Sequence, residues 1–146
     1  MRLEARGELL SSPADVWRLV GEPYHLPDWW PGYQGVQVDR RGLAEGARWS
    51  VNRGPTGSGM SNLLSRPESG GTIVLTRVVD GAFLSWHDVE LRVECAVALE
   101  PAAKRRTAAT VSVEGSWARI TLEGLRPVPR HALRRLHDLC QTAAEL

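Results

Sequence analysis

Residues 12–17, Ser12-Pro13-Ala14-Asp15-Val16-Trp17, then Leu26-Pro27-Asp28-Trp29-Trp30-Pro31-Gly32-Tyr33, and then Gly46-Ala47-Arg48-Trp49, decide how this chain folds. Ser12 ahead of Pro13 reads as an N-cap with proline at the first helical position, where its missing N–H costs nothing, and Asp15 adds negative charge to the first turn. The helix so started carries Val16, Trp17, Leu19 and Val20 and stops near Gly21. A second short element over 23–30 is ended by Pro31-Gly32. Its adjacent tryptophans are too apolar for a solvated loop and need a buried seat.

Working outward, Leu3, Ala5, Gly7 and Leu9 alternate with Arg2, Glu4, Arg6 and Glu8, the period-two pattern of a half-buried strand. Val36 and Val38 mark a second strand, which residues 41–46 turn back into a third over 47–53. Residues 72–79 are β-branched and strand-like, closed by Asp80-Gly81. From 84 to 99 the alternation is clearest. His87, Val89, Leu91, Val93, Cys95, Val97 and Leu99 share one parity; Trp86, Asp88, Glu90, Arg92 and Glu94 share the other. Taken as regular, this run turns His87 toward the apolar side and Asp88 toward solvent. So long a run is expected to bend or break near Glu90, and a break there resets the parity of its first part.

Residues 107–117 return as a strand with Ala109, Val111, Val113, Gly115 and Trp117 on its apolar side. Residues 116–128 stay open between a loop, favoured by Gly124 and Pro127, and a packed segment or early helical turn carrying Trp117, Ile120, Leu122 and Leu125. From about Pro129 onward Ala132, Leu133, Leu136, Leu139, Cys140 and Ala143 follow the helical period on one face. A long amphipathic helix closing an antiparallel sheet is an α+β arrangement, and 146 residues suit one domain, 1–146. Residues 54–71 hold five glycines and two prolines around Met60, Leu63 and Leu64. They read as an extra hairpin or as a lid over a cavity entrance.

The order S-P-x-x-V-W, a short second helix ending W-x-P, and G-x-x-W on a following strand resembles the START-like (SRPBCC) superfamily, which also holds polyketide cyclases, dehydrases and lipid carriers. The resemblance implies a helix-grip fold: a curved antiparallel sheet wrapped around a long C-terminal helix, two short helices after strand 1, and an apolar cavity between sheet and helix. It implies a hydrophobic or aromatic ligand, lipid- or polyketide-like, held by a carrier or sensor. Trp29, Trp30 and Tyr33 then fall at the cavity rim, and Trp49, Val51, His87 and Leu136 in its lining. A cyclase/dehydrase-type enzyme and a protein-interaction module are the alternatives on the same fold.

Chemical signatures are sparse. There is no G-x-S-x-G, no phosphate-binding glycine loop with lysine, and no H-E-x-x-H. His25, His87, His131 and His137 show no metal-ligand spacing, so neither a metal nor a cofactor is expected. His87 and Arg77 are the candidates for acid–base work, and Asn52, Arg53 and Thr76 join them as groups able to orient a ligand. A net charge of +1 gives no reason to expect nucleic acid. No apolar run suits stable membrane insertion. Cys95 and Cys140 lack motif spacing and are expected as free thiols, in keeping with a cytoplasmic protein, monomeric or homodimeric.

Overall fold

A computed structural model of the protein describes residues 1–54 and 70–145. The segment expected as a lid or extra hairpin, 54–71, lies outside the described residues except at its ends. Strand β1 (Arg2–Leu9) leads to helix α1 (Pro13–Val20), a 3-10 turn (Pro23–His25) and helix α2 (Leu26–Trp29). Strands β2 (Tyr33–Gln37), β3 (Arg48–Arg53), β4 (Gly70–Val79), β5 (Phe83–Asp88), β6 (Val93–Pro101) and β7 (Thr107–Glu114) follow. Helices α3 (Trp117–Leu122) and α4 (Val128–Glu145) complete the chain.

All neighbouring strands are antiparallel, in the order β1-β7-β6-β5-β4-β3-β2, so the first and last strands of the chain are joined. This is the helix-grip α+β architecture, with α4 lying against β1 and β7. The starts and stops follow local chemistry. Ser12 Oγ accepts from the Asp15 N–H at 3.3 Å, and Ser116 Oγ caps α3 by accepting from Arg119 N–H at 3.1 Å. On the inner face of the sheet Trp49, Val51, Ile73, Leu75, Val97 and Val111 are buried, and Ala132, Leu136 and Cys140 of α4 belong to the same buried core. Cys95 and Cys140 are both free and buried.

Two local expectations are corrected. The long run 84–99 breaks at a tight turn over 89–92, so Leu84, Trp86 and Asp88 of β5 share the inner face with Val93, Cys95 and Val97 of β6. The parity is reset: Asp88 is 0% exposed, while His87 stands on the outer face at 44% side-chain exposure. Trp117 is not the end of β7 but the first residue of α3, 63% exposed, because the Ser116 cap starts a helix before the strand reaches it.

Candidate functional site

One end of the inner face gathers a polar cluster that the apolar pattern does not call for. Tyr33 opens β2, Arg53 ends β3 and Asp88 ends β5, all on the face that carries Val51 and Trp86. The Arg53 guanidinium grips Asp88 with two parallel bonds, Nη1 to Oδ2 and Nη2 to Oδ1, each 2.7 Å. Nη2 also donates to Glu90 Oε2 at 2.7 Å, and the Thr72 N–H donates to the same oxygen at 2.9 Å. The Tyr33 hydroxyl donates to Asp88 Oδ2 at 2.7 Å and accepts from Trp86 Nε1 at 3.2 Å. Leu91 N–H donates to Asp88 Oδ1 at 3.1 Å, so the same carboxylate anchors the turn that reset the strand parity. Bidentate pairing of this kind is the strong form of carboxylate recognition.

The electrostatics hold each group in one state. Burial pushes the Tyr33 phenol well above its ordinary pKa, and the negative charge of Asp88 adds to it, so Tyr33 remains a proton donor. Burial also keeps Cys95 a thiol. For Arg53 burial works against the charge, but the hydrogen bonds and charge of Asp88 overcome it and raise the pKa. Burial likewise opposes ionisation of Glu90, yet the Thr72 N–H and Arg53 hold its carboxyl below the usual range.

An aromatic cluster adjoins these groups. Trp30 meets Trp86 edge to face at 4.8 Å between ring centroids, and Trp29 meets Trp30 and Trp86 in the same manner at 5.8 and 6.0 Å. Trp29, Trp30 and Trp86 are all buried. Between Trp30 and the start of α4 lies a crevice lined by Leu91, Val93, Cys95, Leu125 and Val128, with Tyr33 and Asp88 at its polar end. About 10 Å³ of it is open to the centre of a water molecule, room for about one water. The indole N–H of Trp29 and the Nε–H of Arg53 are buried without a hydrogen-bond partner among the described residues.

The sequence-derived candidates therefore divide. Trp30 and Tyr33 border the crevice, Trp29 backs them, and Arg53 braces Asp88. Trp49 is buried elsewhere on the inner face, its Nε1 donating to the Gly42 carbonyl at 2.9 Å, and Val51 and Leu136 are packed core. His87 and Arg77 lie on the outer face: His87 stands 3.5 Å from Glu94, and Arg77 is exposed over the Phe83 ring at 5.3 Å. Thr76, also exposed, bonds Ser85 and Glu94 there. Asn52 is exposed on β3. No cluster of metal-ligating groups occurs among the described residues.

Asp88 and Glu90 are the site residues that sequence reasoning missed. The signal for Asp88 was present: bulky apolar residues switch from even positions (Leu84, Trp86) to odd ones (Val93, Cys95, Val97), which places the phase change between 87 and 92.

Gly71 is fitted to this site. A Cβ there would overlap Nη2 of Arg53, and that guanidinium cannot swing aside without leaving Asp88 and Glu90. Gly71→Ala is therefore expected to cost about 1–3 kcal/mol in a urea titration. Gly70→Ala, whose Cβ meets nothing within 4 Å among the described residues, should be neutral. Equal behaviour of the two variants would show that Arg53 is not held.

The sequence matches no protein-family model and no curated protein. Solved structures do match along the whole chain. A Nitrosomonas europaea protein is 18% identical, with a TM-score of 0.73 over 100% of this chain and 97% of its own. A START superfamily protein from Mycobacterium smegmatis is 11% identical, with a TM-score of 0.70 over 97% and 98%. Norcoclaurine synthase from Thalictrum flavum, a point mutant in complex with a transition-state analogue, is 14% identical, with a TM-score of 0.64 over 99% and 96%.

Proposed function

The chain has the START-like fold, and from that premise we propose that it binds an apolar or aromatic small molecule in the crevice between Trp30 and the start of α4, as a carrier or sensor. The observation that carries this reading is the pairing of an apolar crevice with a buried Tyr33–Asp88–Arg53 cluster at its end. A ligand pocket is mostly apolar with a few well-placed polar groups. The free space is far below the several hundred Å³ such pockets usually enclose. Binding therefore requires the crevice to open, by a swing of the Trp30 indole or a shift of the 125–128 segment. That the same fold holds a small molecule in norcoclaurine synthase is consistent with the reading.

Catalysis has less support. His87 and Arg77, the expected acid–base groups, lie outside, and every oxygen of Asp88 is already taken by neighbours. The interaction-module reading keeps one specific observation in its favour: the interior is nearly filled while Trp117 and Leu122 are 63% and 60% exposed.

Titration with an uncharged, environment-sensitive dye such as Nile red tests the binding reading. Emission should rise with a saturable isotherm, and Trp30→Ala should change the dye affinity several-fold while Leu139→Ala, at the exposed edge of α4, leaves it unchanged. No saturable binding, or identical affinity in folded Trp30→Ala, would overturn it and leave the interaction module as the better account.

A further inference from the structure

Strand β1 forms one border of the sheet: among the described residues it pairs with β7 on one side and with nothing on the other. The orientation of its backbone follows from its first residue. The Met1 ammonium donates to the Gly115 carbonyl at 2.8 Å, and the Gly115 N–H donates back to the Met1 carbonyl at 3.0 Å. Met1 and Gly115 thus form a hydrogen-bonded pair. By the alternation of antiparallel ladders, Leu3, Ala5, Gly7 and Leu9 also spend their amides on β7. The N–H and C=O groups of Arg2, Glu4, Arg6 and Glu8 consequently point out from the free edge. Their side chains stand on the outer face, with exposures of 57, 49, 64 and 48%.

We propose that this edge is the docking surface for a second copy of the chain, the two β1 strands pairing antiparallel about a two-fold axis at Ala5 to make one continuous sheet. Charge selects both the partner and the register. With Ala5 opposite Ala5, Arg2 of one copy faces Glu8 of the other, and Glu4 faces Arg6; by symmetry each pairing occurs twice. All of these positions have outward-pointing amides, as a hydrogen-bonded pairing requires. A slip of the partner by two residues in one direction sets Glu4 against Glu4 and Arg2 against Arg6. A slip in the other sets Arg6 against Arg6 and Glu4 against Glu8. Like charges directly opposite are destabilising and unlike charges stabilising, so both slipped registers are rejected. Charges on a free edge commonly guard against aggregation, but this alternating pattern complements itself instead of repelling itself.

The inner face supplies a matching shape. A groove of about 310 Å³ runs between β1 and α4, lined by Gly7 and Leu9 on the strand and by Arg130, Leu133 and Arg134 on the helix. Gly7 lets α4 pack close to the strand, since a Cβ there would come within 3.0 Å of Leu133 Cδ2. In the same register Leu3 of one copy, partly buried against its own core, lies opposite Gly7 of the other, beside that groove. The contact is isologous and closes on itself, giving a dimer and not a filament.

Sedimentation velocity over a concentration series, with circular dichroism to confirm the fold, tests the proposal. The wild type should dimerise. Glu4→Arg sets Arg against Arg twice in the interface and should weaken the dimer about ten-fold or more. The double variant Glu4→Arg/Arg6→Glu restores unlike pairs and should recover the dimer. Glu4→Pro removes an outward N–H that β7 does not use, a change edge strands tolerate, and should leave a folded monomer. A wild type that stays monomeric at every concentration would overturn the proposal. So would a dimer indifferent to Glu4→Arg and Glu4→Pro, or a double variant no better than Glu4→Arg alone.

Discussion

Asp88→Ala is expected to lower the stability of the fold by about 3–5 kcal/mol, the range for removing one partner of a buried ion pair. The carboxylate is 0% exposed and the Arg53 side chain only 12%, so its loss takes both bidentate bonds from a guanidinium that water reaches poorly and leaves Glu90 as its remaining carboxylate partner. Tyr33 loses the acceptor for its hydroxyl, and the Leu91 N–H loses its own. The turn those bonds hold includes Arg92, a non-glycine residue at φ 56°, a conformation that needs support from its surroundings. Asp88→Asn keeps the shape but offers one acceptor oxygen in place of two, and should fall between the variant and the wild type. Urea unfolding followed by tryptophan emission measures the series. A cost under about 1 kcal/mol for Asp88→Ala would mean that solvent reaches the cluster and relieves it.

Trp86→Ala should cost a similar amount, about 3–5 kcal/mol, for a different reason. Trp86 is 0% exposed, is gripped by Trp29 and Trp30, and donates its N–H to Tyr33. Its removal leaves a hole of indole shape beside the crevice. Added indole is then expected to refill the hole and to raise the melting temperature of the variant more than that of the wild type, because a ligand that binds only the folded state stabilises it by mass action. No difference between the two proteins would indicate that the neighbouring rings had collapsed into the space.

Much of the architecture was legible because it rests on local chemistry. Ser12-Pro13 and the 3.6-residue stripe from Ala132 to Cys140 fix helix ends and faces by capping and periodicity, and β1 alternates without interruption. The site was half legible. The tryptophan pair was recognisable as apolar residues that had to be buried, Tyr33 followed from the resemblance, and Arg53 was named only as one of several polar groups able to orient a ligand. Asp88 was not, because strand parity carries across a turn only when the number of residues in that turn is known. Four residues, 89–92, separate β5 from β6, and the odd–even phase changes within them. His87 followed the same error in the opposite direction. Trp117 failed for another reason: the Ser116 cap competed with strand extension and won, a contest between local signals that apolar alternation does not register.

The cluster beside the crevice also has a selectivity written into its ion count. One guanidinium, Arg53, serves two carboxylates, Asp88 and Glu90, and all three lie within hydrogen-bond reach. The cationic capacity of Arg53 is spent on its neighbours, and the sum of the three charges is negative. In the proposed binding mode, a fatty acid or other carboxylate guest entering polar end first would meet the buried Asp88 carboxylate, whose cation is already engaged, while the surplus charge sits on the exposed Glu90 outside the crevice. A neutral guest meets no such barrier, and an amine finds attraction. If the crevice binds a guest as proposed, it is expected to favour uncharged aromatic molecules over acidic lipids.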